Sequence, residues 1–408
     1  MIYVGIDVAK DKHDCHIMRD DGEVIVDNYT FENSREGFLS FDALVKRSKK
    51  RKEEVKIGLE YTGHYSHNLI ENLKAKGYPV LALNPLKVNL YRKSKSLRNT
   101  KTDKSDARYI AEVTSETEIE KRRYVVNDIH VLRSLTRYRY RILKTVQSTK
   151  NRYRRVLQVV FPEFEKHFNV NYRSAIELIG RYSSPREVLS ADRDSLIRNL
   201  NRMSYGRYGK RADELIEAAE TSIGVSNAGD AYELKHIAKH IAFLESEVEM
   251  VEEKLRVILD RLHSPILSIP GIGVTTGATI LAEIGNIKNF ENSAKLLAFV
   301  GCEPTIYQSG KYVLTRTPMV KKGSKYLRNA IFQATKSAYV IDPTMRAYVD
   351  RKRAEGKHFF VALSHGMKKM VRVVFAVLRS GKEYVAPALP ESEEIKKEVT
   401  APKCAMTD

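Results

Sequence analysis

The sequence predicts a chain in three parts: an N-terminal α/β sheet domain, a long helical arm with coiled-coil spacing, and a small, mostly helical C-terminal domain with a helix-hairpin-helix-like turn. Three observations predict it. Short apolar runs alternate with amphipathic ones to about residue 115; apolar positions then recur at steps of three and four along two long stretches; and the segment after Pro265 opens on the glycine-rich SIPGIG before helical signals return. A chain of 408 residues has room for two or three such cores, since one core seldom grows past roughly 250 residues. The expected boundaries are 1–125 for the sheet domain, 126–263 for the arm with an inserted region at 170–231, and 264–385 for the C-terminal domain. Residues 386–408 mix proline and charge with few apolar residues and read as a disordered tail.

In the first part, IYVGID, CHIM and EVIVDNYTF read as an antiparallel meander, with Asp20, Asp21 and Gly22 turning the chain between two strands. VKIGLE, HNLIENLKAKG and YPVLALNP then read as a βαβ unit. In the arm, one apolar seam runs through Leu132, Leu135, Ile142, Val146, Tyr153, Val156 and Val160, interrupted by Arg139 and Thr149. A cleaner one runs through Leu234, Ile237, Ile241, Leu244, Val248, Val251, Leu255, Ile258 and Leu262. Such a seam fits a helix packed inside one subunit or a coiled coil between subunits; the expectation adopted is a coiled-coil arm that also dimerises. The polar run MSYGRYGKR, with two glycines and no apolar period, suggests a loop in an insertion at the arm's tip.

The 70 Lys and Arg exceed the 51 Asp and Glu by 19, which calls for an acidic polymer or surface as partner. No stretch approaches the 18 or more apolar residues of a membrane span, and MIYVGIDVAK lacks the layout of a secretory signal. No membrane partner is therefore expected, and the location expected is cytoplasmic and nucleoid-associated. Cys15, Cys302 and Cys404 have no paired spacing, which excludes a zinc knuckle and makes them bystanders.

Candidate chemistry sits on acids. Strand VGID delivers Asp7 at its carboxyl end, and VKIGLE delivers Glu60 in the same way. KTDKSDAR places Asp103 and Asp106 three apart, on one face if helical. Four converging carboxylates would repel one another unless divalent ions neutralised them, and Mg2+ is the natural occupant of such an all-oxygen set, where it can polarise a phosphate. A single Asp is more often a solvated residue or a helix cap. Here, however, Asp103 and Asp106 lie within a cationic run, Lys87, Arg92, Lys93, Lys95, Arg98, Lys101, Lys104 and Arg108, which draws phosphates toward them.

Two further features point to nucleic acid. From Ile129 to Pro162 there are nine cations, Arg133, Arg137, Arg139, Arg141, Lys144, Lys150, Arg152, Arg154 and Arg155, and no Asp or Glu, with Tyr138, Tyr140 and Tyr153 interleaved. In SIPGIG, Gly271 and Gly273 would let backbone amides approach a phosphate, although a tight turn between packed helices explains them equally well. Ser309 lies before Gly310 and among Lys311, Arg316, Lys321, Lys322, Lys325 and Arg328. A serine attacks phosphate only where its proton is removed or the phosphate charge is neutralised, and ordinary serines far outnumber nucleophiles.

VGIDVAK, GLEYTGHY, the NP of LALNP and KTDKSDA, in this order and spacing, resemble the RuvC-like (RNase H-like) N-terminal domain of the DEDD transposases, the insertion-sequence one-hundred-ten family. The resemblance implies that Asp7, Glu60, Asp103 and Asp106 bind Mg2+. PGIG, GCEP, QSG and KKGSKYLR are similar to that family's C-terminal domain, which implies that Ser309 is the nucleophile, while Ser324 and Ser337 match other positions of the pattern. It also implies double-stranded DNA partners (element ends and target), a structured non-coding guide RNA, and a homo-oligomer, a dimer or a tetramer of two dimers. The rival readings are a Holliday-junction-type metal-dependent nuclease that uses water in place of serine, an actin-like kinase, and a noncatalytic RNA-binding module.

Overall fold

The computed structural model describes residues 1–60, 65–83, 85–95, 103–117, 127–224, 227–303, 308–309, 312–313 and 319–386. It divides into two compact units, Met1–Arg122 and Arg123–Asp408.

The first unit is built on a five-stranded sheet. Its strands are β1 (Ile2–Val8), β2 (Lys12–Arg19), β3 (Val24–Glu32), β4 (Val55–Glu60) and β5 (Val80–Leu83), in the order β3-β2-β1-β4-β5. β1, β2 and β3 pair antiparallel, and β4 and β5 extend the sheet in parallel with β1. This is the meander followed by βαβ that the apolar runs predict, with Gly22 in the left-handed region at φ 89° where the chain turns from β2 to β3. Helices α1 (Arg35–Ser48) and α2 (Tyr65–Ala75) bury Phe41, Val45, Leu69 and Leu73 with Ile2, Val4, Ile6, Ile57 and Leu59 in one core.

Because side chains alternate across a strand, the other face of the sheet carries Gly5, Asp7, Gly58 and Glu60. α3 (Pro85–Lys95) leads towards α4 (Asp103–Glu116), which lies on this second face. A Cβ on Gly5 would stand 2.1 Å from the Ala107 carbonyl oxygen and 2.3 Å from the Ala111 nitrogen, and one on Gly58 would stand 1.7 Å from Thr114 Oγ1. Ala107 and Ala111 are fully buried beneath this contact.

Among the described residues, the second unit is helical apart from one small hairpin. α5 (Asn127–Val160) and α11 (Ala228–Leu262) are its long members. They run antiparallel against each other, as the ion pairs Arg261–Asp128, Arg139–Glu252, Lys150–Glu245 and Arg152–Glu233 require. The two predicted seams meet within one chain: Leu132, Ile142 and Val146 share a core with Val251, Leu255 and Ile258, and Tyr153, Leu157 and Val160 share another with Leu234, Ile237 and Ile241. Burial of the seams therefore requires no second copy. Arg139, which interrupts the seam in the sequence, sits there as the partner of Glu252.

Two expectations are refined. The region 170–231, expected as an insertion of helical fragments with a loop at MSYGRYGKR, is a helical subdomain in which that run turns the chain after α9: α6 (Phe164–His167) just before it, then α7 (Arg173–Arg181), α8 (Pro185–Leu189), α9 (Arg193–Ser204) and α10 (Ala212–Glu220), close on Phe161, Phe164, Phe168, Ile176, Ile179, Leu196, Leu200 and Leu215. Helices this short show only one to three turns of apolar period. The boundary expected at 263 is likewise no boundary of packing, because the base of α5 and α11 shares a core with α12 (Val274–Ile284), α13 (Ser293–Val300), α14 (Lys325–Ile341), α15 (Pro343–Ala354) and α16 (Phe359–Ser380). The predicted tail beyond residue 386 lies outside the described residues.

No described helix is long and apolar enough to cross a membrane. Burial pushes the Cys15 thiol up to about 12 and that of Cys302 up to about 11, so both remain protonated at neutral pH.

A methyl group on Gly5 would meet backbone, which no rotamer change relieves. Gly5→Ala is expected to cost about 1–3 kcal/mol or more, seen as an earlier urea transition of the first unit, while an unchanged transition would mean that α4 does not lie this close to β1.

Candidate active site and nucleic-acid interface

β1 and β4 are in parallel register from Ile2↔Val55 to Ile6↔Leu59, so Asp7 and Glu60 follow at the same level on neighbouring strands. Both are half-buried and, by alternation from Gly5 and Gly58, lie on the face that α4 covers. Asp103 and Asp106 open α4, three residues apart as the sequence predicts. Asp106 is buried, and Arg92 Nη1 on α3 donates to its Oδ1 at 3.4 Å while Arg92 Nη2 donates to Asn89 Oδ1 at 3.1 Å. Part of the cationic run is thus engaged locally. Lys87 bonds Thr117 Oγ1, Arg108 pairs with Glu112, and Lys93 and Lys95 are exposed. Lys101, Arg98 and the side chains of Asp103 and Lys104 lie outside the described residues.

One acid escaped the sequence reading. Asp14 on β2 is the direct register partner of Asp7, is buried, and accepts from Thr30 Oγ1. Directly opposed residues share a face, so Asp14 adds a carboxylate beside Asp7; only the strand register reveals it. The donors gathered on this face are oxygens, the chemistry that suits a hard dication such as Mg2+. Among the described residues, no group of three or more His, Cys, Asp or Glu is close enough to hold a metal ion.

In the second unit, β6 (Gln308–Ser309) and β7 (Tyr312–Val313) form an antiparallel hairpin in which Ser309 pairs with Tyr312. Ser309 is the last residue of β6. Its side chain, Lys311 and Arg316 lie outside the described residues. The neck of this segment is clamped: the Val320 amide donates to Glu303 O at 2.9 Å, and Ser324 N donates to Phe299 O at 3.2 Å. Lys321 and Lys322 are exposed at this neck. Arg328 donates to the carbonyls of Val300 and Lys321. Ser324 caps α14 through the Leu327 amide, and Ser337 is exposed on α14, so neither lies in the hairpin.

Gly271 packs against α14, where a Cβ would stand 2.4 Å from Ala334 O, and its φ is 87°. That is the tight turn between packed helices. Gly273 has open space around it at the start of α12.

α5 carries its cations largely on partners within the chain. Arg137 grips the buried Glu283 with two hydrogen bonds, Nε to Oε1 at 2.7 Å and Nη2 to Oε2 at 3.0 Å, and Ser324 Oγ donates to Oε2 at 2.7 Å. The Arg137 guanidinium lies 4.9 Å from the Tyr326 ring centre. Arg133 donates to Ala282 O, Arg152 pairs with Glu233, and Arg154 bonds Asn171. Arg141 and Arg155 are exposed, whereas Tyr153 is buried and cannot stack on a base. Beyond its first turn, which holds Asp128, α5 carries cations alone, and Glu233, Glu245 and Glu252 on α11, about a hundred residues away, answer three of them, which is why this stretch by itself suggested a nucleic-acid face.

A mixed sheet of this kind, followed by a helical region, fits a RuvC-like DEDD domain. A family model described as "Transposase", of the DEDD transposases of the IS110 type, matches residues 4–162, and one described as "Transposase IS116/IS110/IS902 family" matches residues 263–350. The "Insertion element IS116 uncharacterized 44.8 kDa protein" of Streptomyces clavuligerus is 25% identical over 96% of this chain and 98% of its own length. The "Insertion element IS110 uncharacterized 43.6 kDa protein" of Streptomyces coelicolor is 29% identical, and that match spans 58% of this chain and 60% of the relative. The "Pilin gene-inverting protein" of Moraxella bovis is 23% identical over 94% of this chain and 97% of its own length. The chain belongs to the IS110 family of DEDD transposases and is an enzyme of the transposase class.

Glu283 is almost fully buried, so removing its partner strands a charge, at a cost of about 3–5 kcal/mol for a fully buried pair. Arg137 is partly exposed, which lowers the expectation for Arg137→Ala to about 2–3 kcal/mol in denaturant midpoint. A loss under about 0.5 kcal/mol would show that the pair contributes little to the fold.

Proposed function

We propose that the chain cuts and rejoins insertion-element and target DNA through a metal-bound acid set and a covalent link to Ser309, guided by a structured non-coding RNA. The observation that carries this reading is the register that sets Asp7 level with Glu60 on parallel strands, under the helix that opens with Asp103 and Asp106. DEDD transposases use divalent metal ions, and Mg2+ held by Asp7, Glu60, Asp103 and Asp106 would supply charge neutralisation at the scissile phosphate. Asp7 and Glu60 are half-buried and Asp106, on α4, is buried, and such partial exclusion from water would strengthen their hold on a cation.

In the proposed sequence of steps, Ser309 Oγ attacks phosphorus as its proton is lost, the bond from phosphorus to the 3′ oxygen breaks, and the freed 3′ oxygen takes a proton. The 5′ phosphate is then esterified to Ser309. A 3′ hydroxyl from a different strand attacks that phosphoserine, restoring a phosphodiester and releasing the serine, so no external energy source is needed. Lys321, Lys322, Lys311 and Arg316 would hold phosphates near the hairpin. Gly273, Lys101, Lys104, Arg108, Arg141 and Arg155 would meet the nucleic acid elsewhere, and Arg133, Arg137, Arg152 and Arg154 would do so only through the part of each guanidinium left by its partner within the chain. The name of the Moraxella bovis relative supports site-specific rejoining over simple cleavage. We further propose that it acts as a homo-oligomer, a dimer or a tetramer of two dimers, in the cytoplasm with the nucleoid.

Purified protein, Mg2+ and element-end DNA, incubated with and without RNA transcribed from the element's flanks, should yield protein-linked DNA on a denaturing gel. Ser309→Ala is expected to abolish the link, and Asp7→Asn or Asp106→Asn to lower cleavage roughly a thousandfold or more. Cleavage without an adduct and indifferent to Ser309→Ala would overturn the serine and leave a Holliday-junction-type nuclease. An adduct formed equally well without RNA would remove the guide.

A further inference from the structure

The two family matches end at 162 and resume at 263, so the helical subdomain at the tip of the α5–α11 pair lies in a stretch that they leave unassigned. We propose that this tip binds an unpaired stretch of nucleic acid, with Tyr205 as a stacking platform for a base and the surrounding cations holding the flanking phosphates. The inference rests on the nucleic-acid reading above and extends it to a surface that reading does not use.

Tyr205 ends α9 in the left-handed region, with φ 52° and ψ 45°, and its side chain is 95% exposed. A bulky L-residue rarely adopts that conformation. The turn is nonetheless firmly built. The amides of Tyr205 and Gly206 both donate to Asn201 O, the Tyr208 amide donates to Ser204 Oγ at 2.8 Å, and the Tyr208 ring stands edge-on to Phe168 with centroids 5.2 Å apart. Tyr205 is therefore held outward on a fixed base.

Charge surrounds it. From Ser195 to Ala212 the chain carries Arg198, Arg202, Arg207, Lys210 and Arg211 and no acid. Arg198 lies 3.9 Å from Asp192, and Arg211 lies 4.0 Å from Glu214. Among the described residues, Arg202, Arg207 and Lys210 are exposed without a carboxylate partner. Arg202 and Met203 also line a cleft of about 810 Å³ between α7, α9 and α11, whose wall includes Gly180 and Ala238 and whose rim adds the exposed Arg181 and Lys239. The two acids at the cleft are engaged already, Glu177 with Arg173 at 3.0 Å and Asp192 with the Ser195 amide at 2.9 Å.

An apolar-walled cleft with a cationic rim, two residues from a projecting aromatic, matches a single strand, which presents a base face and a phosphate at every step. A duplex hides its base faces within the stack. An acidic peptide would use the cations and leave Tyr205 idle.

The chain has no tryptophan, so Tyr205→Trp in the full-length protein places one fluorophore at the tip. This variant is titrated with a single-stranded oligodeoxynucleotide, the same sequence as RNA, the blunt duplex and polyglutamate, while anisotropy of a labelled strand records total binding. One or both single strands are expected to quench the emission about twofold or more, with the duplex and polyglutamate leaving it unchanged, and Tyr205→Ala is expected to weaken single-strand binding about fivefold or more. An unquenched tryptophan while anisotropy reports binding overturns the tip site and leaves the nucleic-acid reading standing. Quenching by polyglutamate, or by duplex as strongly as by single strand, also overturns it. No binding of any nucleic acid in either measurement defeats both.

Discussion

A helix can lie flat on a sheet only where nothing projects between them, and the first unit depends on that contact. Gly5 and Gly58 face each other across the β1–β4 register, and α4 crosses directly over both, with Ala107, Ala111 and Thr114 filling the space a side chain would take. The same two strands place Asp7 and Glu60 two residues further on, and the same helix begins at Asp103 and Asp106. Close packing of the core and placement of the acids are thus one geometric fact. A wider spacing would loosen the core and lift Asp106 from the sheet face together.

The second unit rests on charge as much as on apolar packing. α5 presents cations, α11 presents glutamates, and the pairing is continued at the base by Glu283, whose carboxylate joins α12 to Arg137 of α5 and to the hydroxyl that caps α14. A buried carboxylate is tolerated only when its lone pairs are satisfied. Here three hydrogen bonds come from two elements at once, so the neck of the hairpin that carries Ser309 is fixed through a chain of polar contacts that begins on the arm.

What was legible in the sequence follows from the range of each interaction. Alternation along VGID and VKIGLE, and the spacing of Asp103 and Asp106, are local, and they gave strand ends and a helix face correctly. Asp14 was invisible because its relation to Asp7 exists only once β1 and β2 have paired. Arg137 read as a phosphate contact because its partner lies 146 residues away, and Tyr153 read as a stacking residue although its position on the seam buries it. The seams were legible as periodic; that each is the other's partner was not, since apolar spacing does not name what it packs against. α6 to α10 were read as fragments because helices of four to twelve residues give too little period to show a buried face.

The antiparallel course of α5 and α11 has a consequence for how such a protein changes over time. A helix of 34 residues spans about 50 Å at 1.5 Å per residue, and the chain leaves and re-enters the pair at its far end, at neighbouring positions. Change there leaves the core at the base untouched, whereas Tyr153, Leu157, Leu234 and Ile241 in the far half of the pair share the tip's own core and must repack with it. The base of the pair, which packs with α12 to α16, is insulated from such change by the length of the helices themselves.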